Sequence, residues 1–410
     1  MSQEAQKEKS MILQKEMIEG LFNDLDHAKE LGKKVCYTFV PGNLSELIRT
    51  FDMLPVYPEI NALQSAMRKK SGGYIKEAEK NAHSEDVCTY VKCDVGMMMK
   101  GNIGPTGTKI PEPDVLLLSY TGCFTFMKWF ETLKREYPNA KVIMVHTPYQ
   151  ENAKMTPQMV EYMVKQFKEE VIPQMEAVTG IKYDEAKLQR MLALSKESED
   201  WITKIFDTTK HRPSPIDAYF AGVYYIGPIN IGFRGTQEAV DYYKELYSEI
   251  QERIRLGLGP ITPEGEMKEE KYRLVVEGPP NWTSFREFWK IFYDMGWRHD
   301  PSRPLESLAE YCMNCYTNLN IPQRIDLLSK CITDYDADGY ITNSIKSCNS
   351  FSAGQLGMMR EIEDRLEVPV GFIESDLVDP RYFSYSNIKN RLESYFQMLA
   401  QRKMMEKENV

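Results

Sequence analysis

The segment that most limits the fold of this chain runs from Asp114 to Cys123 and reads D-V-L-L-L-S-Y-T-G-C. Its apolar run Val115–Leu118 follows two prolines and precedes Gly122, a short continuous pattern that predicts a buried parallel strand rather than a helix. Cys123 comes just after this predicted strand. In open α/β sheets, ligands bind in the crevice beyond the carboxyl ends of the strands. The segment therefore predicts that the thiol of Cys123 lies in a ligand-binding crevice at the carboxyl end of the strand.

A second segment, Asp338–Cys348, repeats this arrangement. It reads D-G-Y-I-T-N-S-I-K-S-C, a short strand-like run that ends in small polar residues and a cysteine. A chain of 410 residues exceeds what one hydrophobic core usually supports. The two segments therefore predict two lobes whose cysteines face one cleft.

The rest of the pattern predicts an α/β protein with a helical middle. Helical patterns separate the early predicted strands Val35–Val40, Val56–Tyr57, Val115–Leu118 and Lys141–His146. Late strands Arg273–Val276, Gly339–Thr342 and Val368–Ile373 alternate with helical patterns at Phe285–Met295, Gln323–Cys331, Ser352–Leu366 and Asn387–Lys407. Such alternation indicates parallel sheets built from right-handed βαβ units. We predict two Rossmann-like parallel-sheet lobes, residues 1–155 and 266–410, and a helical connecting segment at residues 156–265.

Charge and hydropathy narrow the class of protein. The net charge of −9 argues against a nucleic-acid partner, because binding to phosphates requires clustered Lys and Arg. The charged amino terminus lacks the pattern of a secretory signal, and the longest mostly apolar stretch, Val115–Met127, is too short to span a bilayer. We therefore expect a cytoplasmic protein with no membrane partner, whose eight cysteines are reduced and serve as buried apolar residues or as ligands.

Two familiar motifs have better structural explanations. The segment from Asp334 matches a calcium-binding loop through its glycine, but Ile345 stands where the loop needs a glutamate. A polar turn before a strand explains it better. The C-x-x-C pair Cys312 and Cys315 lies in a helical pattern with no second pair nearby, so we interpret both as buried residues rather than as a metal or redox pair.

Cys88, Cys123 and Cys348 remain, each in a polar or small-residue context at the end of a predicted element. Cys88 follows H-S-E-D and is placed to open a helix, whose amino-terminal dipole favours a thiolate. Three thiolates suit an iron–sulfur cluster, which usually has four cysteine ligands, so that one iron is left open. The dispersed spacing is by itself a weak signal.

Several runs resemble the 2-hydroxyacyl-CoA dehydratase/benzoyl-CoA reductase family, in order and over nearly the whole chain. They are E-D-V-C-T-Y-V-K ending at Lys92, L-L-L-S-Y-T-G-C, S-I-K-S-C, Y-P-E at Tyr57–Glu59 and E-G-P-P-N-W at Glu277–Trp282. C-T-Y-V-K-C-D at Cys88–Asp94 and G-N-I-G-P-T-G at Gly101–Gly107 are most similar to the B-type subunits of ATP-dependent benzoyl-CoA reductases. Many dehydratases have C-A-Y-x-R at the first site, where this chain has Lys92 in place of the Arg.

The resemblance implies that Cys88, Cys123 and Cys348 bind a [4Fe–4S] cluster or a fused larger cluster. It implies a low-potential oxidoreductase that dearomatises an aromatic acyl-CoA to a cyclic dienoyl-CoA. The implied partners are a homologous smaller cluster-binding subunit and ATP-hydrolysing activator subunits with their own cluster. The sequence has no G-x-x-x-x-G-K-[ST] motif, which agrees with ATP hydrolysis on another chain. The alternatives are a dehydratase subunit that eliminates water through a ketyl radical, and a non-catalytic cluster carrier.

Glu59 and His146 are our candidate proton donors. Glu59 follows a predicted strand and His146 ends another, so both are positioned like acid–base groups at the mouth of an α/β sheet. Each also has a structural explanation: Glu59 as a helix cap, and His146 as a partner of a loop carbonyl.

Overall fold

The computed structural model describes residues 9–40, 42–150, 155–216, 226–262, 265–266, 269–278 and 299–408. Two parallel sheets surrounded by helices make up most of this part, so the predicted α/β class with two parallel sheets is confirmed. The predicted helix Phe285–Met295 lies outside the described residues. In the described ranges, no helix has the length and apolar character needed to cross a membrane.

The strands of the described part are β1 (Val35–Thr38), β2 (Leu54–Val56), β3 (Val115–Tyr120), β4 (Lys141–His146), β5 (Ile261–Thr262), β6 (Gly265–Glu266), β7 (Leu274–Glu277), β8 (Gly339–Ile345) and β9 (Val370–Ser375). The α-helices up to the connecting segment are α1 (Lys9–Asp26), α2 (Ser45–Thr50), α3 (Pro58–Met67), α4 (Ser71–Lys80), α5 (Thr89–Met99), α6 (Phe124–Glu136), α7 (Pro157–Gln166), α8 (Ile172–Thr179) and α9 (Glu185–Thr208). The later ones are α10 (Gly227–Gly232), α11 (Gln237–Arg255), α12 (Pro304–Met313), α13 (Ile321–Asp334), α14 (Asn349–Ser352), α15 (Gln355–Leu366) and α16 (Tyr385–Glu408).

The first sheet has the strand order β2-β1-β3-β4, and all its pairs are parallel. Alternate residues of β3 point to opposite cores: Val115 and Leu117 to one, Leu116 and Leu118 to the other. All four are fully buried, which is why this strand is apolar without interruption. The chain leaves β1 for β2 on one side and returns to β3 on the other, so a crevice is expected beyond the carboxyl ends of β1 and β3.

The second sheet, β7-β8-β9, is also parallel. Its three carboxyl ends carry polar residues: Glu277 ends β7, the segment Lys346–Cys348 follows β8, and Asp376 follows β9. Glu277 and Asp376 are both buried. One apolar core joins the sheets, since it contains Ala62 of α3 together with Ile341 of β8. Apolar packing between α3 and β8 therefore holds the two sheets together.

The connecting segment consists of helices in the described residues up to the short hairpin β5-β6. Thr156, Asp184 and Thr236 accept hydrogen bonds from backbone N–H groups and cap α7, α9 and α11. Helix α12, although it comes later in the sequence, packs in the same core as α7, α9 and the first sheet. The start of the connecting segment thus packs against the first sheet.

A buried group of four charged or titratable side chains, which we call the ion quartet, joins these regions. Its members are Glu46, Glu199, Arg234 and His299. Arg234 lies 2.8 Å from a carboxylate oxygen of Glu46 and 2.8 Å from one of Glu199, and its Nη2 lies 2.6 Å from His299 Nε2. Burial raises the pKa of Glu46, but Arg234 and His299 outweigh it and hold that pKa well below its ordinary value. The quartet ties α2 to α9 and to the segment before α12.

The two motifs that we set aside have separate structural roles. In the segment that begins at Asp334, Asp336 forms an exposed ion pair with Arg212, and Asp338 accepts the N–H of Arg273. These two aspartates therefore stabilise a turn before β8. Cys312 is fully buried and its thiol donates to the carbonyl of Gly42 at 3.4 Å. Cys315 is only half-buried, so the expected burial holds for Cys312 alone.

Candidate functional site

Each of the three cysteines predicted as ligands comes immediately before a helix. Cys88 precedes α5, Cys123 precedes α6 and Cys348 precedes the short α14. The first N–H groups of a helix have no partner inside it and favour nearby negative charge. Burial raises the pKa of the Cys88 and Cys348 thiols, and backbone N–H groups of the helix that follows each of them oppose part of this rise.

The three thiols interact with one another. Burial raises the pKa of Cys88 well above its ordinary value, and the thiolates of Cys348 and Cys123 raise it further. Burial likewise raises the pKa of Cys348 to about 12, with a contribution from the Cys123 thiolate. Cys88 and Cys123 border the core of the first sheet, and Cys88 and Cys348 border the core that joins the sheets. The structure thus brings together sulfurs from three distant parts of the chain.

Three cysteine thiols are the donors that an iron–sulfur cluster uses. In the described ranges, no three His, Cys, Asp or Glu side chains converge tightly enough to hold one ion. A cluster is larger than an ion, so its cysteine ligands lie farther apart, and when bound it would neutralise the negative charge of three thiolates. Three thiols without a fourth match a cluster with one iron not bound by cysteine.

The loop that carries Cys123 is fixed by close backbone contacts. Gly122 has φ +79°, and a Cβ atom there would lie 2.3 Å from the carbonyl oxygen of Thr317. The hydroxyl of Thr317 in turn donates to the carbonyl of Thr121 at 2.6 Å. Both the backbone angle and the contact require glycine at this position. The position of Cys123 therefore depends on a distant segment, since the bonded residues are 196 positions apart.

The segment before Cys88 is held by a buried lysine. Lys92, whose side chain is fully buried, lies one turn into α5 and pairs with Glu79 at 2.9 Å. Its ammonium group also donates to the carbonyl of Glu85 at 2.7 Å. Lys92 therefore holds the segment just before Cys88 against α4 and α5.

Glu59 lies at the start of α3, below the carboxyl end of β1. Its Oε1 accepts the N–H of Val40 at 3.0 Å, and its buried Oε2 has no hydrogen-bond partner among the described residues. Burial raises the pKa of Glu59 to about 8, and the nearby Asp94 carboxylate adds to the rise. Burial also raises the pKa of Asp94 to about 7, although Trp129 donates to it at 2.8 Å. Glu59 is thus mainly protonated at neutral pH and has a free oxygen.

His146 ends β4, the edge strand, and its side chain is exposed. Its backbone exchanges two hydrogen bonds with the amide of Gln166, at 2.8 and 2.9 Å. Its ring meets that of Tyr162 edge-on, with centroids 5.9 Å apart. The histidine lies at the predicted edge of the sheet but outside the buried group around the cysteines, and its role in proton transfer stays a prediction.

Glu277 is a buried acid that we did not single out from the sequence. Tyr316 donates to one of its oxygens at 3.0 Å and Gln355 to the other at 2.6 Å. Burial raises the pKa of Glu277 to about 7, although these two hydrogen bonds and Arg324 lower it. Tyr316 also stacks on Phe351, three residues after Cys348. The sequence feature that could have identified Glu277 is an acidic residue at the end of an apolar strand, β7.

The buried Glu277 carboxyl predicts a pH-dependent stability. Its pKa rises from an ordinary 4.5 to about 7 on folding, so the unfolded chain loses this proton at lower pH than the folded chain. Stability from this group is fully present below pH 4.5 and is lost as the pH rises through about 7, a change of about 3 kcal/mol at most. We expect the urea midpoint of Glu277→Gln to fall less than that of the wild type between about pH 5 and about pH 8. Equal pH dependence in the two proteins would contradict this.

Several known proteins are similar to this chain. A family model described as "2-hydroxyglutaryl-CoA dehydratase, D-component" matches residues 38–399. The chain is 60% identical to the B subunit of benzoyl-CoA reductase from Thauera aromatica, over 97% of this chain and 96% of that protein. It is 24% identical to the (R)-2-hydroxyisocaproyl-CoA dehydratase alpha subunit of Clostridioides difficile, over 98% of each chain. It is 26% identical to the (R)-phenyllactyl-CoA dehydratase alpha subunit of Clostridium sporogenes, over 92% of this chain and 93% of that protein.

The family model spans most of the chain, including the strand ends and all three candidate cysteines. The resemblance that the motifs predicted is therefore confirmed. The chain belongs to the 2-hydroxyglutaryl-CoA dehydratase D-component family.

Proposed function

We propose that this chain is the iron–sulfur subunit of an ATP-dependent benzoyl-CoA reductase, an oxidoreductase that acts as a multi-subunit complex. The observation that carries the proposal is that Cys88, Cys123 and Cys348 each precede a helix, and that Cys88 shares one core with Cys123 and another with Cys348. The choice of reductase over dehydratase is supported by 60% identity to a benzoyl-CoA reductase subunit, against 24% and 26% to two dehydratase subunits.

In this proposal Cys88, Cys123 and Cys348 bind a [4Fe–4S] cluster or a fused larger one. The bound cluster supplies single electrons at low potential, which reduction of an aromatic ring requires. In this proposal Gly122 and Lys92 hold the segments beside Cys123 and Cys88, and all three cysteines are half-buried. Backbone N–H groups at the starts of the three following helices suit the negative charge of a cluster bound by thiolates.

Reduction of the ring also consumes protons, and Glu59 is our proposed donor. It is protonated at neutral pH because burial raises its pKa to about 8, and its Oε2 lacks a partner among the described residues that would hold the proton in place. His146 is a second proposed acid–base group. Its exposed position at the end of β4 suits exchange of protons with solvent rather than direct transfer to a buried ring.

The proposed partners are a homologous smaller cluster-binding subunit, ATP-hydrolysing activator subunits with their own cluster, and an aromatic acyl-CoA substrate. The sequence supports this dependence, because it carries no P-loop motif of its own. We further propose a division into lobes at residues 1–155 and 266–410, joined by the segment 156–265, and a cytoplasmic location. Both follow from the sequence features described above.

The test is turnover by the anaerobically purified complex with its activator, ATP and a strong reductant. We expect benzoyl-CoA to be converted to a cyclic dienoyl-CoA, as followed by chromatography of the CoA esters. Elimination of water from a 2-hydroxyacyl-CoA, with benzoyl-CoA left unchanged, would replace the proposal by a dehydratase. A complex that contains iron and sulfide but converts neither substrate would favour a cluster carrier.

A further inference from the structure

Cys88 and Cys348 are separated by 260 positions and come from segments attached to different sheets. Packing between the sheets brings these segments near each other, but apolar contacts alone do not fix the alignment of two polar loops. Hydrogen bonds are directional and can do so. The alignment of the two cysteines therefore depends on the polar residues beside them.

Asp376 connects the two loops. It follows β9, is fully buried, and uses both carboxylate oxygens. Oδ1 accepts the hydroxyl of Thr89 at 2.5 Å, and Oδ2 accepts the backbone N–H of Ser347 at 3.0 Å. Thr89 follows Cys88 directly, and Ser347 directly precedes Cys348. One carboxylate thus holds the residues next to both cysteines.

The two loops also contact each other. The backbone N–H of Thr89 donates to the Ser347 hydroxyl at 3.3 Å, and the two hydroxyl oxygens lie 3.4 Å apart. Thr89 is fully buried, so loss of the carboxylate would remove its short hydrogen bond in a site from which water is largely excluded. The three residues form one connected group, which we call the Asp376 clamp.

The carboxylate of Asp376 bonds the residue next to each of the two cysteines, and this placement is what an aligning role requires. Hydrogen bonds to an ionised group are also stronger than those between neutral groups.

We propose that Asp376 is a positioning residue, which aligns Cys88 with Cys348 so that both can bind the same cluster. This inference rests on the proposed function for the cluster itself. The alignment of the thiols, however, is a property of the chain without metal, and it can be measured separately.

The test compares Asp376→Ala with Asp338→Ala. Asp338 is the matched control, because it also accepts a backbone N–H, that of Arg273 at 2.7 Å, but at the opposite end of the second sheet. Metal-free chains are treated with a short bifunctional thiol reagent, and the peptide that joins Cys88 to Cys348 is quantified by mass spectrometry. Iron retained by the reconstituted chains against a chelator is the second measurement.

We expect Asp376→Ala to lower both the cross-linked yield and the retained iron by about tenfold, since two charge-assisted hydrogen bonds are lost. Asp338→Ala should match the wild type in both. Asp376→Asn should restore most of the yield, because its amide can still bond one of the two loops through its oxygen and the other through its nitrogen. If Asp376→Ala does not fold by circular dichroism, Thr89→Val removes one bond at nearly constant volume and should lower the yield less.

Wild-type yield and wild-type iron retention in folded Asp376→Ala, or in folded Thr89→Val where Asp376→Ala does not fold, would overturn the proposal. A lowered cross-linked yield in a chain whose wild type binds no iron would leave the Asp376 clamp in place and overturn the proposed function instead. The two failures are therefore distinguishable.

Discussion

Replacement of Cys348 by serine is expected to remove the cluster and abolish acyl-CoA reduction while the chain still folds. A thiolate ligand supplies both a charge and an iron–sulfur bond, and a serine hydroxyl is a poor substitute for either. The Cys348 thiol interacts with the thiolate of Cys123 and lies at the start of a short helix, so its removal breaks the donor set without opening a large cavity. Iron content and electron paramagnetic resonance of the reduced complex are the measurements.

The matched control is Cys315→Ala. The Cys315 thiol contacts the carbonyl of Tyr311 at 3.6 Å. Burial raises its pKa, and so does the neighbouring Cys312 thiol, which lies outside the candidate group. We expect this substitution to cost on the order of 1 kcal/mol in stability and to leave the cluster intact. Loss of the cluster in Cys315→Ala together with its retention in Cys348→Ser would identify the C-x-x-C pair as the metal site.

Replacement of Glu59 by glutamine is expected to lower the rate of reduction by about 10² to 10⁴, the usual contribution of a positioned proton donor. The amide keeps the shape of the side chain and can still accept the N–H of Val40, so folding and iron content should not change. A donor must be protonated, and Glu59 is so below about pH 8. The wild-type rate should therefore fall as the pH rises through about 8, and the residual rate of the variant should lack this fall.

Asp94→Asn is the control for Glu59. Asp94 is also a buried acid with a raised pKa, but both its position and its bond to Trp129 place it within the core of the first sheet. We expect its replacement to change the rate well below pH 8 by less than about fivefold, and to lower the pH at which the rate falls, because the Asp94 carboxylate raises the pKa of Glu59. If Asp94→Asn lowers the rate as much as Glu59→Gln does, the effect of the latter reflects local structure.

The sequence predicted the apolar parts of the fold well. Strand β4 has the bounds that its pattern predicted, Lys141–His146, since its apolar residues lie between clear ends. Strand β8 was predicted to end at Thr342 but continues to Ile345. The extra residues include Asn343 and Ser344, and polar residues at the end of a strand pattern resemble a turn. Asn343 is nevertheless fully buried, because Ser375 donates to its side chain at 3.0 Å.

The contacts that organise the candidate site could not be predicted in this way. Thr89 and Asp376 are 287 positions apart, and Tyr316 and Glu277 are 39 apart. Periodicity reports which side of a local element is buried, and it says nothing about which buried polar groups meet. The three cysteines were singled out because local context marks element ends, whereas Asp376 lies in E-S-D-L-V-D, which resembles any acidic turn.

The ion quartet limits how the molecule can move. Sliding α2 past α9, or past the segment of His299, would leave a buried charge without its partner, at a cost of about 3 to 5 kcal/mol. Such displaced states would make up less than about 1% of molecules at equilibrium. These parts therefore move as one rigid body. Any opening wide enough to admit an acyl-CoA must then leave α2, α9 and the segment of His299 in place relative to one another.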